Sequence, residues 1–72
     1  MITVQLDQIL EKRGITLAEL SRRIDITPVN LSILKNGHAK AIRFTTLAAI
    51  CAELECQPGD ILRFTPTSTA DD

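Results

Sequence analysis

Thr16-Leu-Ala-Glu-Leu-Ser-Arg-Arg-Ile-Asp-Ile-Thr27-Pro-Val-Asn-Leu-Ser-Ile-Leu-Lys-Asn-Gly37 contains two helix starts, eleven residues apart. In the first, Thr16 precedes Glu19 by three residues, the spacing of a capping box. The hydroxyl takes a backbone N–H of the first turn, and the carboxylate reaches back to the cap's own N–H. In the second, Thr27 caps and Pro28 occupies the first helical position, where a missing N–H costs nothing. Asp25-Ile26 makes the turn between them, and Asn36-Gly37 closes the second helix. Leu17, Leu20, Ser21 and Ile24 fall inward on the first helix, with Arg22 and Arg23 outward; Leu31 and Leu34 are the inward pair of the second.

Working outward, Leu6, Ile9 and Leu10 lie at i, i+3 and i+4 and predict a helix over Leu6 to Arg13, stopped by Gly14. Beyond Gly37, His38 to Arg43 reads as a polar, basic loop. Thr45 is the expected cap of a fourth helix over Thr46 to Glu55, with Leu47, Ile50, Cys51 and Leu54 on its buried stripe. Gln57 to Ile61 adds one helical turn. Met1 to Gln5 and Leu62 to Thr65 alternate as short strands, the second ended by Pro66. The expected fold is all-α, a compact bundle of four to five short helices with a helix-turn-helix. Its two chain ends pair as a short antiparallel β-ribbon.

Seventy-two residues suffice for one domain near the lower limit of a self-supporting core. The hydrophobic fraction is 44%, yet the only aromatics are Phe44 and Phe64, so the core is read as Leu, Ile and Ala. A net charge of −1 gives no global pull toward nucleic acid. The pull is local: Ile26 to Cys51 contains no Asp or Glu but carries Lys35, Lys40 and Arg43. Two short tandem helices, the second set in a basic segment, are how a small protein places a rod in the major groove of DNA.

Other classes find little support. No His stands beside a Ser or Cys in a nucleophile arrangement, and no Gly-rich phosphate loop is present, so an enzyme is not expected. Cys51 and Cys56 are read as buried small hydrophobes, because His38 is the sole histidine and lies in the loop; no metal and no cofactor are expected. The start Met1-Ile-Thr-Val-Gln-Leu-Asp lacks a basic, apolar leader, and no stretch approaches the roughly 18 apolar residues of a membrane span. Cytoplasmic residence with reduced thiols is the expectation.

The combined spacing resembles the lambda-repressor-like (Cro/Xre-type) helix-turn-helix regulators, in their small single-domain branch. The matching residues are Thr16, Ala18-Glu19-Leu20, Ser21, Ile24, Thr27, Leu31-Ser32, Leu34 and Asn36-Gly37. Arg43-Phe44, Leu47-Ala48-Ala49-Ile50-Cys51 and Gln57-Pro58-Gly59-Asp60 follow, so the likeness spans about nine-tenths of the chain. Asp25 departs from the family's usual glycine; Asp tolerates a left-handed turn better than most side chains. The resemblance implies a DNA-binding domain over residues 1–66, followed by a disordered acidic tail over 67–72. It also implies a bacterial or phage transcription regulator, by default a repressor, inserting helix 28–36 in the major groove.

Base contacts are expected from Pro28, Val29, Asn30, Ser32 and Ile33. Only Asn30 offers paired hydrogen bonds, most naturally to adenine, whereas Val29 and Ile33 suit thymine methyls. Phosphate contacts are expected from Thr16, Arg22, Thr27, Lys35, Asn36, His38, Lys40 and Arg43. One such helix covers too few base pairs alone, which argues for a homodimer joined through the terminal strands or the Cys51 to Leu62 region. No membrane and no small-molecule effector are expected. The alternative reading is a protein-interaction module, an antitoxin or anti-repressor, with apolar Val29 and Ile33 contacting a protein partner such as a toxin.

Overall fold

The computed structural model describes residues 1–66, so the acidic tail expected over 67–72 lies outside the described residues. The order is β1 (Ile2–Val4), α1 (Leu6–Arg13), α2 (Leu17–Ile24), α3 (Pro28–Lys35), α4 (Phe44–Leu54), α5 (Pro58–Ile61) and β2 (Leu62–Phe64). This is the expected helical bundle with a terminal ribbon. Among the described residues no helix is long and apolar enough to cross a membrane.

The core is wholly aliphatic: Leu6, Leu10, Leu20, Leu31, Leu34, Leu47, Ile50, Leu54 and Ile61. Each such side chain, fully buried, contributes about 1.5–3 kcal/mol. Every helix contributes at least one of them, so the five helices have one common interior to cover. Phe44 and Phe64, the two aromatics, both stand outside it.

Four helices end in the same way. A left-handed residue follows each terminus, directly in α1, α2 and α4 and one residue later, at Gly37, in α3, and the N–H after it reaches back five residues to a helical carbonyl. Ile15 donates to Leu10 (3.1 Å), Ile26 to Ser21 (3.2 Å), His38 to Ile33 (2.9 Å) and Cys56 to Cys51 (3.0 Å). Gly14 and Gly37 occupy two of the left-handed positions, where glycine meets no Cβ penalty. The other two are Asp25 (φ 58°, ψ 43°) and Glu55 (φ 52°, ψ 54°). The turn predicted at Asp25 is therefore present and left-handed.

Several details differ from the sequence reading. Glu19 does not complete a capping box: Thr16 accepts the Glu19 N–H at 3.1 Å, but the carboxylate bonds Arg22 and Arg23 instead. Two guanidinium groups outbid one backbone N–H, because charge-assisted bonds are the stronger kind. The hydrogen bond from Arg23, opposed by partial desolvation, together with that from Arg22, holds the Glu19 carboxyl below the ordinary glutamate range. Arg23 also reaches Glu53 at 3.0 Å, so it ties α2 to α4 rather than pointing freely outward.

The fourth helix begins two residues before the expected Thr46. Arg43 stands at the cap position with extended backbone and makes no side-chain cap bond; its carbonyl accepts the Leu47 N–H at 2.9 Å. Starting there lets the first turn seat Leu47 in the core. At the far end Glu55 leaves the helix, and Arg13 covers the exposed carbonyls, its Nε bonding Leu54 at 2.8 Å and its Nη2 bonding Glu55 at 2.9 Å. α3 also ends one residue short of the predicted Asn36, which takes a bridge-region conformation ahead of Gly37.

β1 and β2 pair antiparallel in the register Ile2–Phe64, Thr3–Arg63 and Val4–Leu62. Gln5 extends the pairing by donating to Ile61, and Met1 and Thr65 exchange backbone bonds at the open end. Ile2, Val4, Leu62 and Phe64 share one face. Its inner end, Val4 and Leu62, packs on the core, while its outer end overhangs the helical body.

A non-glycine residue held left-handed costs roughly 1–2 kcal/mol, partly recovered when glycine's own chain entropy is counted. Glu55→Gly therefore raises the unfolding free energy by about 0.5–1 kcal/mol in urea denaturation. Glu55→Val, which tolerates that conformation worse, lowers it. An unchanged or lower midpoint for the glycine variant contradicts this account of the helix ends.

Candidate nucleic-acid interface

The position of α3 follows from its two ends and its inner face. Thr27 accepts the Asn30 N–H at 3.2 Å, and the Leu31 N–H closes the first turn on the Thr27 carbonyl at 3.1 Å. Leu31 and Leu34 are buried against the body. The opposite side is then necessarily outward: Val29 is 68% exposed and Ile33 42% exposed, and Pro28 and Asn30 are exposed with them. Ser32 lies at the edge, half-buried, its Oγ accepting from the Asn36 side-chain amide at 3.3 Å.

The turn before α3 is closed by Ser21, the one buried polar side chain among the described residues. Its hydroxyl donates to the Ile26 carbonyl, while the Ile26 N–H donates to the Ser21 carbonyl. A larger residue at position 21 would push α2 and α3 apart; a smaller apolar one would leave the Ile26 carbonyl without its partner.

Between α3 and the loop 38–43 runs an open groove of about 640 Å³. Six of the residues singled out from the sequence line it: Thr27, Asn30 and Ile33 on one wall, His38, Lys40 and Arg43 on the other. Thr46, the third residue of α4, and Asp25, the only acid among the lining residues, add to the lining. Neither of these two was anticipated, since Thr46 was assigned only to the start of a helix and Asp25 only to a turn. Beside it a smaller hollow of about 280 Å³ holds Arg22 together with Ser21, Asp25, Ile26 and Thr27.

The cations fall into two sets. Arg22 is paired with Glu19, and Lys35 reaches across to Asp7 of α1 at 3.3 Å, half-buried. Lys40 and Arg43, exposed at the groove, have no ion-pair partner among the described residues. Electrostatically the groove is therefore positive on the loop side and apolar to neutral on the α3 side.

The two capping threonines differ in what they leave free. Thr16 satisfies the Glu19 N–H, so the N–H groups of Leu17 and Ala18 remain unbonded within the helix. At α3, Pro28 has no N–H, and only Val29 keeps one. In both, the cap uses an acceptor lone pair, and the hydroxyl proton is left to donate. Phe44, passed over as a site residue, projects from the start of α4 beside Arg43 and is 86% exposed. The expected helix began after it, at Thr46; α4 instead starts at Phe44, beyond the edge of the core.

The comparisons with known proteins agree with this geometry. The family model described as a Cro/C1-type HTH DNA-binding domain matches residues 5–67. The chain is also similar to a protein of Bacillus subtilis (strain 168) called the uncharacterized HTH-type transcriptional regulator YozG. The two are 60% identical over 63 residues, which is 88% of this chain and 75% of that protein. The chain, with its tandem capped helices and exposed α3 face, belongs to the Cro/C1-type helix-turn-helix DNA-binding domains, and DNA is its partner.

Proposed function

We propose that the protein is a cytoplasmic transcription regulator that places α3 in the major groove of double-stranded DNA and represses by occluding its site. Residues 1–66 are the DNA-binding unit. The observation that carries this reading is the groove of about 640 Å³ that sets Asn30 and Ile33 opposite Lys40 and Arg43. A phosphate backbone lying along the loop wall leaves the α3 wall facing the base edges.

Roles follow from chemistry. Asn30 is the one paired donor and acceptor on the outward face and reads adenine; Val29 and Ile33 contact thymine methyls, with Pro28 and Ser32 at the margins. Lys40 and Arg43, unpaired within the domain, are the principal phosphate cations. Arg22 and Lys35 must exchange Glu19 and Asp7 for phosphate, so each contributes less. Thr16, Thr27, Asn36 and His38 add hydrogen bonds. The activity is binding, with no catalytic step.

A single α3 reads few base pairs, and the ribbon offers a second copy a docking face. Ile2 is 61% and Phe64 67% exposed on the same overhanging apolar face, which the monomer leaves uncovered. A two-stranded ribbon is marginal by itself. Packing two such faces together gives a two-fold dimer whose recognition helices meet half-sites about 34 Å apart.

Salt dependence and base preference separate the two sets of residues. With about four phosphates neutralised per domain, log K falls with log salt at a slope of about −3.6, and Lys40→Ala or Arg43→Ala each reduces it by about 0.9. Neither changes the order of preferred sequences, whereas Asn30→Ala reorders sites selected from a random duplex pool. Retention on DNA that is indifferent to Lys40 and Arg43 would favour the protein-docking alternative, in which Val29 and Ile33 contact a toxin or other regulatory partner.

For the assembly, sedimentation equilibrium is expected to show a dimer that Phe64→Asp or Ile2→Lys converts to folded monomer. A monomer at high concentration, with and without DNA, removes the dimer from the account.

A further inference from the structure

We infer that Cys51 and Cys56 form a thiol pair that a peroxide oxidises to an intramolecular disulfide across the C-terminal end of α4. The inference starts from the helix ends. In a helix end of this kind the donor and acceptor residues of the five-residue backbone bond are placed for side-chain contact, and apolar pairs frequently occupy them. At α1 the pair is Leu10 and Ile15; at α4 it is Cys51 and Cys56, joined through the 3.0 Å bond between Cys56 N–H and the Cys51 carbonyl. A motif that elsewhere brings two hydrocarbon side chains together here brings two sulfurs together.

The surroundings suit such a pair. Both thiols are free and half-buried at the rim of the core, so a small oxidant reaches them while bulkier thiols are hindered. Burial, and after it the neighbouring Cys51 thiol, push the Cys56 thiol up; Asp60 adds to this and Arg13 opposes it. The upward push disfavours the Cys56 thiolate, so we take Cys51 as the thiol oxidised first and Cys56 as the one that resolves it. Arg13, bonded to the Leu54 and Glu55 carbonyls, holds the helix end that carries both residues.

The chemistry closes without a cofactor. The Cys51 thiolate attacks one oxygen of hydrogen peroxide; an S–O bond forms, the O–O bond breaks, and the departing hydroxide takes up a proton as water. Cys51 is then a sulfenic acid. The Cys56 sulfur attacks the Cys51 sulfur, the S–S bond forms, and the displaced hydroxide leaves as water with the Cys56 proton. Two thiols and one peroxide become one disulfide and two waters. The staple spans the joint between α4 and the segment that carries α5 and β2, away from the α3 groove.

The test uses the full chain, reduced, desalted and treated with substoichiometric hydrogen peroxide. Intact mass spectrometry is expected to show loss of two hydrogen atoms, both thiols becoming inert to iodoacetamide, with full reversal by dithiothreitol. The closure step proceeds at a rate independent of protein concentration, and non-reducing gels show no covalent dimer. Cys56→Ser, checked for folding by circular dichroism, accumulates a Cys51 sulfenic acid that dimedone traps; Cys56→Ala serves if the serine variant does not fold. Covalent dimers, gain of oxygen without loss of hydrogen, or thiols still alkylatable after peroxide is consumed would each overturn the inference.

Discussion

The reciprocal bonds between Ser21 and Ile26 hold the angle on which the rest of the structure depends. One side chain small enough for a close helix crossing also donates its hydroxyl across the turn, and the same two residues share a backbone bond in the opposite direction. Asp25 takes the left-handed conformation that lets this happen. With that turn closed, Leu20 and Leu31 meet in the core and α3 has no freedom to lie flat on the body. Its outward face is a geometric consequence of what its inner face buries.

The electrostatics divide along the same line. Acids on α1, α2 and α4 are spent on cations that hold the bundle: Asp7 on Lys35, Glu19 on Arg22 and Arg23, Glu53 on Arg23. These pairs are exposed and each contributes little to stability. Their effect is rather to leave Lys40 and Arg43 as the cations facing the groove without an ion-pair competitor among the described residues. A chain with net charge −1 thereby presents a positive surface where the outward helix stands.

Much of this was legible in the sequence because the deciding interactions are local. Thr16 and Thr27 bond N–H groups three residues away, and Leu20, Leu31 and Leu34 follow from helical spacing alone. Val29 and Ile33 are outward for the same reason. What escaped the sequence reading depends on distant partners or on backbone geometry without a side-chain mark. Nothing in Arg13 announces carbonyl partners 41 and 42 residues away. Glu19 looks like a capping residue until Arg22 and Arg23 are seen to take its carboxylate. Arg43 starts a helix without any cap bond, so the threonines after it drew the boundary too late and left Phe44 unplaced.

The central claim, that the outer face of α3 and the facing loop meet a duplex, is tested most directly by following backbone amide resonances during titration with a short DNA duplex at low salt. The account predicts shifts concentrated at Val29, Asn30, Ile33, Lys40 and Arg43, with Cys51, Leu54 and Ile61 nearly unmoved. Shifts confined to the terminal ribbon and the α4–α5 joint, with the α3 face silent, would contradict it.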